Sequence, residues 1–196
     1  MAYNRYPIVS KTNPFVSKPA PDPKRLIQVP RIIGFGEKQE FVVRQLTISP
    51  PSPALFRIIA TDKMVVITDF KLIPLHEKKD CDKFYAKVII DGYIDKNINY
   101  KTITDFTATD VNGPVYQFTT RVPFATYVEV TATEPVRETD TVEILDAFVE
   151  GEKDELLNPN PVAVGAPSWA ITYNSVLEKM LICIKLKITR SDHIFC

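Results

Sequence analysis

Few residues of this sequence could support nucleophilic catalysis. The 196-residue chain has two histidines, and the best arrangement of a serine, an acid and a histidine is Ser191-Asp192-His193. A serine hydrolase needs these three groups held in a fixed geometry, and nothing preorganises them at the end of the chain. The sequence also has no G-x-S-x-G, G-x-x-x-x-G-K-[ST] or G-x-G-x-x-G motif. We therefore predict that the protein is not an enzyme.

Cysteines and clustered carboxylates are the candidates for metal ligation. The three cysteines form no CxxC pair, and together with the two histidines they match no zinc-ligand spacing. A hard cation such as calcium prefers clustered oxygens, and four carboxylates follow one another closely: Glu150, Glu152, Asp154 and Glu155. Their segment lacks the D-x-[DN]-x-[DN]-G loop, and its alternating charges are typical of a solvated turn. We predict no metal site and no cofactor.

Two of the cysteines have different surroundings in the sequence. Cys183 lies within an apolar run, which predicts a buried, small hydrophobic side chain. Cys196 is the last residue and follows Ile194 and Phe195. Its thiol is a candidate for an intermolecular disulfide, and the alternative is a chemically idle chain end. Both interpretations of Cys196 stay open.

The overall composition excludes several classes of protein. Twenty-four basic and twenty-four acidic residues give no net charge, whereas a nucleic-acid-binding protein carries a surplus of Lys and Arg. No apolar run approaches the ~18 residues of a membrane span, and residues 1–11 lack the apolar core of a secretory signal. We expect a protein that is synthesised in the cytosol without a signal peptide, that does not bind nucleic acid and that has no membrane span.

The elements that carry these residues are predicted to be strands. Residues 84–100 and 176–189 alternate between an apolar and a polar face, and no window shows convincing helical spacing. Turns are predicted at Thr61-Asp62-Lys63 and at Asn112-Gly113. Strands with one apolar face must bury those faces against each other. The pattern therefore predicts an all-β fold, either an antiparallel β-sandwich or a barrel-like sandwich.

The first 38 residues are predicted to form a proline-rich, extended arm. Six prolines within residues 1–30 disfavour both a helix and a central strand. Residues 1–31 contain six basic residues and one acidic residue, a net charge of +5, together with many aromatic and β-branched residues. Such residues are uncommon in a solvated tether, so we expect the arm to lie on a protein surface. A disordered leader is the alternative.

Residues 115–160 contain three alternating runs, separated by a proline-marked turn and an acidic turn. Their order is a short strand, VPFATYVEV, an acidic linker, a strand that ends in VEGE, and then DELLNP. This order resembles the SPOCS domain, which is named for its occurrence in spore coat and spore-envelope proteins of endospore-forming bacteria. The resemblance extends across about residues 42–190. We therefore assign a SPOCS-like β-domain to residues 39–190 and a C-terminal tail to residues 191–196.

The resemblance implies a structural protein of the spore surface: a coat layer, the exosporium or an appendage. Residues 134–155 contain nine acidic and two basic residues, a net charge of −7, opposite in sign to the arm. Opposite charges on separate segments favour docking, either within one chain or between chains. Head-to-tail docking that does not close into a ring produces filaments. We therefore expect a homo-oligomer or filament, and further spore coat proteins as possible partners.

Candidate residues for the subunit contact lie in the arm and at the C-terminal end. They are Tyr6, Ile8, Phe15, Ile27, Arg31 and Phe195, with Cys196 as the candidate for an intermolecular disulfide. The alternative function is an adaptor that recruits another spore coat morphogenetic protein. In the family resembled here, adaptors look as though they need an additional binding module after the SPOCS-like region. This chain stops a few residues past its last predicted strand, which favours assembly over recruitment.

Overall fold

The computed structural model describes residues 26–80 and 83–195, which contain eight strands and no helix. Six strands form one antiparallel sheet in the order β2-β3-β6-β1-β8-β7, and β4 and β5 form a short ribbon. The prediction of an all-β antiparallel fold is confirmed. The strands are β1 (Leu26–Thr47), β2 (Arg57–Asp80), β3 (Lys83–Lys101), β4 (Asp105–Phe106), β5 (Val111–Asn112), β6 (Val115–Ala132), β7 (Thr141–Pro159) and β8 (Tyr173–Phe195).

One short pairing divides the six-stranded sheet into two halves. Among the described residues, β1 and β6 pair only where Gly34 to Gly36 meet Val130 to Ala132. By contrast, β1 pairs with β8 along its whole length, and β6 does so with β3. The first half is therefore β2-β3-β6, and the second half is β1-β8-β7. Their apolar faces form one common core, which makes the fold a β-sandwich.

The central strands of the two halves, β3 and β8, supply more buried core residues than any other strand. Every second residue from Ala86 to Tyr100 is buried, and the same holds from Val176 to Ile188. Burying an aliphatic side chain of this size contributes about 1.5–3 kcal/mol. The largest fully buried aliphatic side chains of these two strands are Ile90, Ile94, Ile98, Met180, Ile182, Ile184 and Leu186.

On the far side of the core, β2 and β7 approach each other through their side chains. Thr61 Oγ1 of β2 donates a 2.8 Å hydrogen bond to Glu152 Oε1 of β7. Lys63 Nζ, also on β2, lies 2.5 Å from the same oxygen. Within the described part of the chain no backbone pairing joins these two strands. The sheet is therefore a barrel-like sandwich and not a closed barrel.

The two ends of the sandwich are formed by different segments of the chain. Because β1 and β8 are antiparallel, the start of β1 lies beside the end of β8, and the end of β1 lies beside the start of β8. The entry end contains Leu26, which pairs with Phe195, and the loop end contains Thr47, which pairs with Ser175. Leu55, which precedes β2, bridges to the start of β8 at Tyr173 and so also lies at the loop end. At ~3.3 Å per residue, β1 separates the two ends by roughly 60–70 Å.

Part of the predicted arm belongs to the sheet. Residues 26–38 form the first part of β1 and pair with β8, and Gly34 and Gly36 lie within the strand and not at a bend. Pro30 is compatible with this position because β1 has a described strand neighbour on one side only there. Residues 26–38 of the predicted arm are therefore part of a strand, whereas residues 1–25 lie outside the described residues.

Two predicted turns are wrong. Thr61-Asp62-Lys63 lies inside β2, where it pairs with β3. Asn112 and Gly113 have no positive φ, which a two-residue hairpin turn requires. Gly113 instead permits a close backbone approach, because a Cβ atom there would lie 1.9 Å from the carbonyl oxygen of Thr102. At residues 61–63, continuous pairing of β2 with β3 overrides the local turn preference. At position 113, the close backbone of Thr102 leaves no room for a side chain, which explains the glycine.

Gly36 at the junction of the two halves provides a test of this architecture. A Cβ atom there would lie 2.8 Å from the carbonyl oxygen of Glu129 and 2.8 Å from Val128 Cγ1. We expect Gly36→Ala to lower the free energy of unfolding by about 1–3 kcal/mol, because the backbone of β6 must move. Denaturant unfolding measures the loss.

Gly151→Ala is the matched control, since an added Cβ atom there meets no atom within 4 Å. This control is expected to change the free energy of unfolding by no more than about 0.5 kcal/mol. Equal losses in the two variants would contradict the close approach of β1 and β6.

Candidate functional site

A cluster of four charged side chains lies between the two halves of the sandwich. Lys96 of β3 and Glu178 of β8 are both fully buried, and their side chains form a short ion pair. Lys96 Nζ also lies 3.1 Å from Glu152 Oε2 and 3.2 Å from Asp154 Oδ1, both on β7. One ammonium group of the first half therefore contacts three carboxylates of the second half. These four residues are called the internal ion cluster.

Strand alternation explains how two charges come to be buried. Lys96 lies between Ile94 and Ile98 on the inward face of β3, and Glu178 lies two residues before Met180 on the inward face of β8. The signal was present in the sequence, because a single charge within each apolar row predicts a buried ion pair across the core. The search for catalytic and metal-binding motifs missed it.

Glu152 is the most strongly held carboxylate of the internal ion cluster. Burial alone would raise its pKa, but hydrogen bonds from Lys63, Thr61 and Lys96 outweigh this effect and lower the pKa to about 2. Glu152 is therefore ionised at neutral pH. Since Lys63 and Thr61 belong to β2, this carboxylate links β2 to β7 where backbone pairing is absent from the described structure.

Glu178 has the least favourable surroundings for a negative charge. Burial raises its pKa to about 7 and the neighbouring Asp154 carboxylate adds to the rise, although Lys96 acts in the opposite direction. The Oε1 atom of Glu178 is buried without a hydrogen-bond partner. A carboxylate so placed is stabilised by protonation. The internal ion cluster therefore gains or loses a proton near neutral pH.

Three carboxylates of the internal ion cluster have a spacing that suits metal ligation. Glu152, Asp154 and Glu178 each offer an oxygen, and these oxygens lie within 4.8 Å of one another. Hard cations bind such oxygen clusters. The ammonium group of Lys96 already contacts all three carboxylates and supplies the compensating positive charge. This arrangement fits a buried ion pair better than it fits a metal centre.

The four carboxylates considered as calcium ligands in the sequence analysis do not form one cluster. Glu152 and Asp154 belong to the internal ion cluster, and the other two carboxylates have different partners. Glu150 accepts a 2.6 Å hydrogen bond from Gln39, and Glu155 pairs with Lys179 at 2.9 Å. Neither belongs to the internal ion cluster. The segment is part of β7 and not a solvated turn, so its alternating charges point to opposite faces of a strand.

A second charged network occupies the entry end. Arg31 forms a short ion pair with Glu134, and its Nε lies 2.5 Å from Asp192 Oδ2. Arg190 lies 2.6 Å from Glu134 and 2.8 Å from Asp140. These contacts tie β1 and β8 to the loop between β6 and β7. Arg31, predicted as a subunit contact, thus has its guanidinium engaged within its own chain.

The other predicted contact residues have varied positions. Ile27 is 43% exposed and pairs with Ile194, which is 47% exposed, so the two form a small apolar patch at the entry end. The backbone of Phe195 pairs with that of Leu26. The remaining candidates lie outside the described residues: Tyr6, Ile8, Phe15 and Cys196.

Most carboxylates of the acidic segment 134–155 are paired within the chain, which sequence reasoning did not anticipate. Glu134 and Asp140 contact arginines at the entry end, and Glu152 and Asp154 belong to the internal ion cluster. The two remaining pairs are Glu143 with Lys187 at 3.0 Å and Glu155 with Lys179 at 2.9 Å. The segment therefore offers an arm less negative charge than its net charge of −7 suggests.

The chemical groups near the chain end are not arranged as a triad. Asp192 pairs with Arg31, and on a strand Ser191 and Asp192 point to opposite faces. Cys183 is 2% exposed, which confirms the predicted burial, and its Sγ lies 3.4 Å from Glu37 Oε1. Burial raises the pKa of this thiol, so it is less reactive than an exposed one.

Comparison with known proteins gives one family. Residues 56–150 match the family model described as SipL, SPOCS domain. The chain carries a SPOCS domain. Membership of the SPOCS family implies a role connected with sporulation. No curated protein and no solved structure matches the chain.

The matched residues cover part of the sandwich. They begin immediately before β2 and end within β7, so β1 and β8 lie outside the match. The core nevertheless requires β8, which supplies Glu178 and half of the central apolar rows. The folded unit that contains the SPOCS domain therefore extends beyond residues 56–150. The part of the chain that the structure describes holds no helix suited to crossing a membrane.

Proposed function

We propose that this protein is a structural subunit of an outer layer or appendage of the bacterial endospore, and that copies join head-to-tail through the N-terminal arm. The SPOCS domain supports the connection with sporulation. The two different ends of an elongated sandwich support a head-to-tail arrangement, because such a contact uses two different surfaces of the subunit.

The proposal is supported mainly by the position at which the arm joins the sandwich, at the start of β1. Residues 1–25 contain five basic residues, one acidic residue and several aromatic and β-branched residues, and they lead directly into β1. At the entry end β1 pairs with β8 on one side, and no described strand pairs with residues 26–33 on the other. The arm thus leaves an open strand at one extremity of the body, where it is positioned to reach a second molecule.

The internal architecture suits a structural role. Apolar rows from both halves form one core. The internal ion cluster connects β3 to β7 and β8, with which β3 has no described backbone pairing, and the Arg31 network ties β1 and β8 to the loop between β6 and β7. These features hold the two ends at a fixed separation. A subunit of a layer or fibre needs such a body, because each contact must transmit the orientation of one copy to the next.

Deletion of residues 1–25 tests the proposal. The deletion leaves β1 complete, whereas removing residues 1–30 would remove its first five residues. We expect the full chain to form large ordered assemblies, visible by electron microscopy and by sedimentation, and the shortened chain to stay monomeric. A matched control replaces residues 1–25 by a Gly/Ser-rich segment of the same length. The proposal is wrong if the shortened chain assembles as well as the full chain.

A further inference from the structure

A groove at the loop end has the features of a peptide-binding site. It has a volume of about 450 Å³ and is lined by residues from the start of β2, the end of β7 and the segment before β8: Phe56, Arg57, Ile58, Asp154, Leu156, Trp169, Ile171 and Tyr173. Aromatic and aliphatic side chains dominate the lining, with one cation and one anion among them. We call it the loop-end groove.

The aromatic residues of the loop-end groove are held in place by backbone contacts. Trp169 lies in a tight turn closed by a hydrogen bond from Ala170 N to Pro167 O, 2.9 Å long. Its ring packs against Phe56, with 6.1 Å between ring centroids. Trp169 is nevertheless 54% exposed. A large aromatic ring that is fixed in position and yet half exposed is typical of a recognition surface.

Charged residues of both signs border this aromatic surface. The guanidinium of Arg57 lies 5.9 Å from the centre of the Phe56 ring. Asp154 also lines the groove, and its side chain, although it contacts Lys96 at 3.2 Å, is 18% exposed. Grooves with exposed aromatic residues bind polyproline II segments, whose preformed conformation costs little entropy on binding. Flanking charges then fix the direction and register of the bound segment.

The arm of this protein contains a segment with the matching chemistry. Residues 14–25 read PFVSKPAPDPKR, in which Pro19, Pro21 and Pro23 alternate with other residues. This spacing favours the polyproline II conformation. The segment also carries cations that could pair with Asp154, and Asp22 could pair with Arg57.

The length of the chain excludes binding of this segment to its own groove. Pro19 is seven positions before Leu26, and at ~3.6 Å per residue this stretch spans at most roughly 25 Å. Leu26 lies at the entry end, and the loop-end groove lies at the opposite end, roughly 60–70 Å away along β1. Residues 19–23 can therefore reach the loop-end groove of a second copy but not that of their own molecule.

We propose that the loop-end groove binds the proline-rich segment, residues 14–25, of a second copy of this chain. This inference rests on the proposed head-to-tail assembly and names its two surfaces. The rings of Trp169 and Phe56 pack on the prolines, while Arg57 and Asp154 pair with the charges of the segment. Each copy thus donates one segment from its entry end and accepts one at its loop end.

The single tryptophan of the chain provides a direct measurement. Trp169 is the only tryptophan among eight tyrosines, so fluorescence excited at a wavelength that tyrosine hardly absorbs reports on the loop-end groove. We expect the emission of the assembled full chain to lie at shorter wavelength than that of the chain lacking residues 1–25, because the bound segment removes water from the ring. A synthetic peptide of residues 14–25, added to the full chain, is expected to compete and to disperse the assemblies.

The control peptide replaces Pro19, Pro21 and Pro23 by alanine and keeps every charge. We expect it to compete at least about tenfold more weakly, because it must lose more conformational entropy on binding. Equal competition by the two peptides would contradict recognition of a proline-rich segment.

Two full-length variants separate this inference from the proposed function. Trp169→Ala and the triple variant with Pro19, Pro21 and Pro23 changed to alanine are each expected to raise the concentration needed for assembly at least about tenfold. The triple variant leaves every described residue of the sandwich unchanged, and circular dichroism checks the fold of both variants. If both variants assemble like the unmodified chain while deletion of residues 1–25 abolishes assembly, the loop-end groove is not the acceptor, although assembly through the arm still holds.

Discussion

Lys96→Met is expected to lower the free energy of unfolding at pH 7 by about 3–5 kcal/mol. Lys96 is fully buried and its ammonium group contacts Glu152, Asp154 and Glu178. Removing the cation leaves three carboxylates close together in the sandwich, and an uncompensated buried charge costs this much. Chemical denaturation followed by circular dichroism measures the loss.

Two further variants make this prediction specific. Lys101→Met changes an exposed lysine of the same strand and is expected to alter the free energy of unfolding by no more than about 0.5 kcal/mol. The double variant Lys96→Met with Glu178→Met replaces the buried pair by apolar groups and is expected to recover most of the stability. A double variant less stable than Lys96→Met alone would contradict the view that the loss arises from the unpaired carboxylate of Glu178.

Glu178→Gln is expected to change how stability depends on pH. The folded-state pKa of Glu178 is raised to about 7, whereas an unfolded glutamate titrates near ~4.3. Between these values the folded chain binds more protons than the unfolded chain. Stability due to this group is therefore fully present below about pH 4, falls as pH rises, and is lost above about pH 7. Across this pH range, the titration of Glu178 changes the free energy of unfolding by about 3 kcal/mol.

The glutamine variant lacks this titration, so its stability relative to the unmodified protein is expected to rise between pH 5 and pH 7. Unfolding experiments at pH 5, 6, 7 and 8 compare the two proteins. Glu143→Gln, which removes an exposed carboxylate paired with Lys187 at 3.0 Å, is the control and is expected to leave the slope unchanged. Parallel stability curves for Glu178→Gln and the unmodified protein would show that Glu178 does not titrate in this range.

The fold class could be predicted because burial on one face leaves a direct trace in the sequence. Alternation at residues 84–100 and 176–189 identified β3 and β8, which are the central strands of the two halves. A central strand has neighbours on both sides, so its inward positions must all be apolar or internally paired. The same rule, applied to Lys96 and Glu178, predicts the two fully buried members of the internal ion cluster, whereas Glu152 and Asp154 are brought to them by the fold.

Strand ends were harder to predict, because neighbouring strands determine them. Residues 61–63 look like a turn, yet β2 continues through them because β3 offers a continuous partner. Residues 26–38 look like part of the arm because Pro30 continues the series of prolines in residues 1–25, yet β8 pairs with them at a position where Pro30 needs no second neighbour. Local propensity describes a segment in isolation, whereas these segments are fixed by partner strands that lie elsewhere in the sequence.

The loop-end groove left no signal in the sequence. Its lining comes from the start of β2, the end of β7 and the turn before β8, and only the topology of the sandwich brings these segments together. Trp169 had no periodic pattern around it, and Phe56 followed a run of prolines. A shared binding surface of aromatic residues outside strands can be recognised only when the tertiary structure shows which of them are in contact.

The difference between the entry end and the loop end has a consequence for the proposed assembly. If copies join through the arm, the resulting chain of subunits has polarity: one terminus has an unused proline-rich segment, and the other has a vacant groove. Addition of subunits at the two termini then proceeds at unequal rates, and a molecule that fills only the vacant groove stops elongation at that terminus while the other continues.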